Sequence, residues 1–298
     1  MRFSFWPNPA QDFNTVLGLC THAEATGWDG IWYADHFMPN AEDTSAPWPE
    51  CWTTLSALAV QVPRVRLGTL VMGNTYRHPA VLAKMAVTLE HICGGRLTLG
   101  LGAGWQENEH RQYGIAYYTV AERLARLDEA CEVISLLLNN ASSSYDGSYY
   151  QLDQASLEPK PLQAPMPLLI GGGGEKVTLR IAAKWAQEWN VWGTPETLKH
   201  KIGVLDRHCQ DLGRDSSTIH KSAQALLFMS DDTSWLDSMR ARPMQMATMI
   251  GTPAELRDQV AAYADAGVDE LIIPDFTLGP DDAKRATMDR FLKEVARR

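Results

Sequence analysis

The sequence predicts an α/β protein of the (β/α)8 barrel class, one domain over residues 1–298, and three observations predict it. Short β-prone apolar runs alternate with helix-periodic segments, and eight strands can be counted along the chain. A chain of 298 residues suits eight such units. Two distant units also share one layout: Gly27-Trp28-Asp29-Gly30-Ile31-Trp32-Tyr33-Ala34-Asp35 and Gly267-Val268-Asp269-Glu270-Leu271-Ile272-Ile273-Pro274-Asp275. Each has a helix stop, Gly-x-Asp, an apolar strand and an aspartate at the strand's carboxyl end. An open doubly wound sheet is the competing architecture. In both, ligands bind at the carboxyl ends of the strands, so the residues just past each strand matter most.

Strand one is Phe3 to Trp6, closed by Pro7-Asn8-Pro9. Phe13, Val16, Leu17, Leu19 and Cys20 recur at helical spacing, which predicts a helix from about Asp12 to Thr26 with Gly27 as its stop. Strand two, Trp28 to His36, ends on two titratable side chains. The loop near 38–50, rich in Pro, Asn and Ser, is of a length that compact domains keep mainly for function. A helix over 52–62 leads to strand three, Val65 to Met72, and Pro79 opens the next helix at its first turn. Strand four, Leu97 to Leu101, runs through Gly102-Ala103-Gly104 into a carboxylate-rich helix start.

Val120 to Leu138 reads as a long amphipathic helix, and Asp146-Gly147 predicts a small hairpin over Tyr145–Tyr150. The stretch near 139–167, ending in a proline-rich run, is read as an excursion within the domain. Strand five is Met166 to Ile170, followed by Gly171-Gly172-Gly173-Gly174 and a helix to Trp185. Strand six, Trp189 to Trp192, precedes a helix capped by Thr194, and strand seven is taken as Ile219 to Met229. Residues near 230–250 form a third insertion without a clear pattern. Thr252 and Glu255 make a capping box before the last unit.

Composition narrows the function. Acidic residues outnumber basic ones 36 to 27 without a basic block, which argues against nucleic acid and anionic membrane and for a small-molecule substrate. Five scattered cysteines suit a reducing, cytoplasmic setting. There is no signal-peptide core and no apolar run of membrane-span length.

At the strand ends, the four glycines 171–174 before a helix suit an anion, through free first-turn N–H groups and the positive end of the helix dipole. Gly102 and Gly104 let main chain approach a flat ring. His36 is the proton-transfer candidate, because its ordinary pKa is near neutrality. Asp35 is its catalytic companion in sequence, although neighbouring strand side chains point to opposite faces. No metal constellation is expected, since no H-x-x-x-H with an acidic third ligand occurs, and no G-x-S-x-G elbow occurs either. A phosphate site, ring-sized glycines and one histidine, without a nucleophile or metal, imply a borrowed cofactor.

At Trp32-Tyr33-Ala34-Asp35-His36-Phe37, Leu67-Gly68-Thr69, Gly73 through Arg77, Gly95-Arg96-Leu97, Gly104-Trp105, Ile170 through Lys176 and Gly251-Thr252-Pro253, the chain resembles the luciferase-like superfamily. Within it, the likeness is to the coenzyme F420-dependent oxidoreductase branch. The resemblance implies a (β/α)8 barrel, often dimeric, that binds a flavin or 5-deazaflavin at its carboxyl face. It implies that Gly171, Gly172, Gly173, Gly174, Glu175, Trp192 and Gly193 hold the cofactor phosphate. Leu70 and Val71 would lie behind the ring, where the family often has a non-prolyl cis peptide. Asn74, Gly102, Ala103, Gly104, Trp105 and Asn108 would edge the ring, with His36 near the reactive carbon. One position departs: where sugar-phosphate dehydrogenases of the group carry a glutamate after the glycine turn, this chain has Trp105. Glu107 and Glu109 nearby are read as complementing a helix N-terminus.

The leading expectation is hydride transfer between F420 and a small organic substrate, with His36 moving the proton. The alternative is an FMN-dependent monooxygenase using reduced FMN and oxygen. A catalytically silent barrel and a sugar-phosphate aldolase or isomerase are the readings from other classes.

Overall fold

The computed structural model describes residues 1–296. In chain order the elements are β1 (Arg2–Trp6), α1 (Phe13–Thr26), β2 (Gly30–Tyr33), α2 (Cys51–Gln61), β3 (Arg66–Thr69), β4 (Met72–Gly73), α3 (Pro79–Ile92), β5 (Leu97–Gly102), α4 (Glu107–Tyr113) and α5 (Val120–Asn139). There follow β6 (Ser143–Asp146), β7 (Gln151–Ala155), β8 (Leu168–Gly171), α6 (Thr178–Trp185), β9 (Glu188–Trp192), α7 (Pro195–Asp211) and β10 (His220–Gln224). The chain ends through β11 (Leu226–Met229), α8 (Thr233–Arg240), β12 (Thr248–Gly251), α9 (Pro253–Asp265), β13 (Glu270–Pro274) and α10 (Asp281–Phe291).

The main sheet runs β3-β2-β1-β13-β10-β9-β8-β5-β4, and a further β3–β5 pairing closes it. All its ladders are parallel, with β1 joining the two ends of the chain through Arg2↔Glu270 to Trp6↔Pro274. The expected third strand is thus broken into β3 and β4 around a cis Leu70–Val71 peptide, giving eight barrel positions with β3 and β4 sharing one. The closed barrel excludes the open sheet.

Strand alternation sorts side chains between two cores. Phe3, Phe5, Ile31, Tyr33, Leu67 and Leu271 face the helices and join one continuous apolar annulus. Trp6, Trp32, Ala34, Leu70, Leu169 and Ile272 face the lumen and form a second cluster. Below that cluster the lumen is ionic. Arg66 binds Glu188, Glu270 (3.0 Å) and Thr98 (2.9 Å), while Trp32 Nε1 donates to Glu270 at 2.8 Å. Burial pushes the Glu270 carboxyl up, but His220, Arg66 and Trp32 outweigh this and hold it at about 2. Charge balance inside the barrel therefore depends on a few residues at the amino ends of the strands.

Two expected elements differ. The predicted strand over 219–229 is two strands: β10 belongs to the barrel, whereas β11 leaves it to pair in parallel with β12, Leu226↔Thr248 through Met229↔Gly251. The chain turns outward at Ala225, and the insertion 230–250 supplies α8 and β12 as its partners. In the hairpin, Asp146 pairs with Gln151, so Asp-Gly does not close a two-residue turn. Glu129 of α5 accepts from the Ser148, Tyr149 and Tyr150 N–H groups and holds a wider loop instead.

Candidate active site

The alternation that buries Trp32 and Ala34 in the lumen carries His36 to its carboxyl mouth and turns Asp35 outward. There Asp35 accepts from Arg77 at 2.8 and 3.2 Å and from the Gly73 N–H at 3.0 Å. Arg77 also reaches Glu50, so Asp35 helps clamp the end of the 38–50 loop. It does not touch His36.

The partner of His36 is Glu109, in the first turn of α4. His36 Nδ1 lies 2.8 Å from Glu109 Oε1, and the other carboxylate oxygen accepts from the Phe37 N–H at 2.7 Å. Tyr76 donates its hydroxyl to the same carboxylate. Glu109 is fully buried; burial pushes its carboxyl up, but the bonds from His36, Phe37 and Tyr76 hold it below the usual carboxylate range. An ionised carboxylate only accepts, so the Nδ1 of His36 carries a proton and Nε2 is the nitrogen left for the cavity. Glu109 thus lies in the first turn of α4, where it complements the helix dipole as expected, and in addition holds His36. Its direction is set by α4, which is tied to the neighbouring loop by Gln106 Nε2 to Met38 O and Asn108 Nδ2 to Pro39 O, both 2.9 Å.

A cavity of about 460 Å³ opens at this mouth. His36, Leu70, Val71, Gly102, Ala103, Gly104, Trp105, Gly171, Gly172 and Trp192 line it, as do Trp6, Ala34, Tyr76, Thr178, Asn190 and Gln224. Val71 projects between two glycines: a Cβ on Gly102 would lie 2.7 Å from Val71 Cγ2, and one on Gly171 2.9 Å from Cγ1. Glycine at both positions gives Val71 its place against the cavity. Gly172, with a φ of 123°, turns the chain away from β8 toward α6. The first turn of α6 has no side-chain cap; its Leu179 N–H is taken by the Gly174 carbonyl, and the remaining first-turn N–H groups are the ones open to an anion.

Other sequence-predicted residues lie outside these walls. Asn74 is buried beneath the mouth, with Nδ2 3.3 Å from the Tyr150 hydroxyl. Asn108 faces the 38–50 loop. Gly173 gives its carbonyl to Lys201 (2.7 Å), Gly174 its carbonyl to the Leu179 N–H, and exposed Glu175 pairs with His200 and Lys201. Gly193 gives its carbonyl to the Tyr263 hydroxyl. The sequence reading missed Trp6, Asn190, Gln224 and Glu109. Trp6 and Gln224 end the period-two lumen series of β1 and β10, and Asn190 is the member before Trp192 in that of β9, a signal present in the sequence.

Folding also assembles the one candidate metal trio found among the described residues, Glu188, His220 and Glu270, with ligand atoms within 4.8 Å of one another. It lies at the opposite end of the barrel from His36, and Arg66 already binds both of its carboxylates.

The luciferase-like monooxygenase family model matches residues 1–244. This chain belongs to that family. Among luciferase-like relatives, it is 37% identical over 173 residues to an F420-dependent glucose-6-phosphate dehydrogenase of Amycolatopsis mediterranei, covering 57% of this chain and 50% of that protein. A protein of the same name from Segniliparus rotundus is 26% identical over 301 residues, covering 88% and 89%. The chain spans about half the length of several curated relatives it matches. The structure of an F420-dependent secondary alcohol dehydrogenase with an F420–acetone adduct superposes with a TM-score of 0.86 at 20% identity, over 99% of this chain and 98% of that one. That likeness is one of fold.

Proposed function

We propose that this protein is a coenzyme F420-dependent oxidoreductase that moves a hydride between the deazaflavin and a small organic substrate. The observation that carries this is a histidine fixed by a buried carboxylate beside a cavity whose walls at Gly102 and Gly171 are kept free of Cβ atoms. Those glycines, Val71 and the uncapped first turn of α6 fit a flat ring with a phosphate-bearing tail. When bound, the deazaflavin supplies a ring carbon that accepts or releases hydride. Relatives named as F420-dependent dehydrogenases support the same coenzyme.

The chain's own residues orient, exclude water and move the proton. His36 takes a proton at Nε2 in the oxidative direction and returns it in the reductive one. Glu109 holds the ring tautomer and stabilises the imidazolium. Trp6, Leu70 and Trp192 keep the far wall apolar. A cytoplasmic location belongs to this reading and is supported by five buried, unpaired cysteines; no helix among the described residues is long and apolar enough to cross a membrane. A homodimer is also part of it.

The family model's monooxygenase description keeps reduced FMN as the second reading. Equilibrium titration with F420 and with FMN separates them. Preference for F420, with loss of turnover and retained coenzyme affinity in His36→Ala, supports the first; preference for FMN supports the second.

A further inference from the structure

The relatives' substrate name and this cavity do not agree. Among the described residues that line it there is no lysine or arginine. Of the cations nearby, Lys201 is bound to Gly173 O and Glu175 and Arg77 to Asp35 and Glu50, while Lys176 and Arg180 line a separate cavity with Asp128 and Lys184. The glycine end is used by the coenzyme's own phosphate when F420 is the cofactor. A second phosphate dianion would enter beside a carboxylate-held histidine with no cation to meet it, and burying an unpaired charge is strongly unfavourable.

The aromatic wall at Trp6 and Trp192 has the chemistry of an apolar, uncharged guest. Trp6 and Trp192 stand 6.0 Å apart by ring centroid, with Phe276 packed edge-on against Trp6 at 5.2 Å. Trp105 replaces the expected glutamate, stands edge-on to His36 at 5.4 Å, and is 58% exposed. An indole left that open beside the proton-transfer group is apolar area that a bound substrate would cover. On the same wall, Trp6 Nε1 and Gln224 Oε1 are buried without hydrogen-bond partners. One donor and one acceptor suit a neutral carbonyl or its alcohol.

Resting on the F420 reading, we propose that the substrate is a small uncharged carbonyl compound with an apolar body, not a sugar phosphate, and that Trp105 sets this specificity. In the reductive direction the carbonyl carbon gains a hydride as the C=O π bond breaks. The oxygen takes the Nε2 proton of the His36 imidazolium, and alcohol and oxidised deazaflavin are the products.

The test uses the F420-loaded protein and follows deazaflavin fluorescence with acetophenone, cyclohexanone and glucose 6-phosphate. The expected result is saturable binding of the two ketones and none of glucose 6-phosphate. With each variant saturated with F420 before ketone is added, Trp105→Ala should weaken ketone binding by about tenfold or more and Trp105→Phe should restore most of it. Saturable glucose 6-phosphate binding, absence of ketone binding, or ketone affinity indifferent to Trp105→Ala overturns the proposal. Failure to take up F420 appears at the loading step and brings down the coenzyme reading along with this one. Glucose 6-phosphate binding to the loaded protein brings down this one alone.

Discussion

The Nδ1 of His36 lies 2.8 Å from the Oε1 of Glu109, a residue 73 positions later in the chain. This bond converts a strand-end histidine into an oriented acid–base group, because the ring can neither rotate nor exchange tautomers without breaking it.

Replacing Glu109 by glutamine keeps the volume and removes the charge. The side-chain oxygen can still accept from Nδ1, but the amide lacks the negative charge that stabilises the imidazolium. Turnover is expected to fall by about 10²–10⁴-fold with KM changed far less. Tyr76→Phe removes one of the hydrogen bonds that fix Glu109 and should cost much less. Steady-state kinetics of both variants against F420 check this; equal effects on KM and kcat would contradict it.

Val71 needs glycine on both sides. In Gly102→Ala the new methyl meets Val71 Cγ2 at 2.7 Å, and in Gly171→Ala it meets Cγ1 at 2.9 Å. Overpacking of this kind costs about 1–3 kcal/mol, and the displaced Val71 should weaken F420 binding by about tenfold or more. Adding Val71→Ala to either variant should recover part of the loss. Fluorescence titration of the single and double variants provides the comparison.

Much of this mouth is legible in the amino-acid sequence, and the reasons are local. Period-two alternation assigns Trp32, Ala34 and His36 to one face and Asp35 to the other, and the Gly-rich strand ends mark where main chain approaches a ligand. The role of Glu109 is not legible there, because a contact across 73 residues depends on how α4 turns after Gln106. The departure of β11 from the barrel is hidden for a related reason: only Ala225 lies between the mixed β10 and the apolar β11, and the pairing of β11 with β12 is what separates them. Asn74 and Asn108 follow strand ends as expected, but a loop residue's direction is set by hydrogen bonds to Tyr150 and Pro39 that periodicity cannot specify.

Asp35 tests the distinction between structure and catalysis. Its carboxylate is fully buried against a mostly buried Arg77. Asp35→Ala should strip that guanidinium of its main partner and cost about 3–5 kcal/mol of stability. The fraction that remains folded should turn over within a few-fold of the parent. Denaturant unfolding paired with kcat per folded molecule decides it, since a catalytic Asp35 would lower kcat without a comparable stability loss.

The ionic floor of the barrel predicts a pH dependence. Glu270 titrates at about 2 in the folded protein against an ordinary 4.5. A lowered folded value stabilises the fold above the ordinary pKa, and that contribution disappears as pH falls from about 4.5 through about 2. It amounts to roughly 3 kcal/mol. Glu270→Gln should lower stability at neutral pH and flatten the stability curve in that acid window. Arg66→Met, which leaves Glu188 and Glu270 without their shared cation, should be the more damaging change at neutral pH. Unfolding free energies measured from about pH 2 to about pH 7 distinguish the two.

Equilibrium titration of the purified protein with F420 and with FMN, each oxidised and reduced and followed by fluorescence, is the decisive measurement of coenzyme choice. Saturable binding selective for F420, weakened by Gly102→Ala and by Gly171→Ala, is the expected result. Selective FMN binding, or binding of neither, would contradict an F420-dependent hydride transfer at this site.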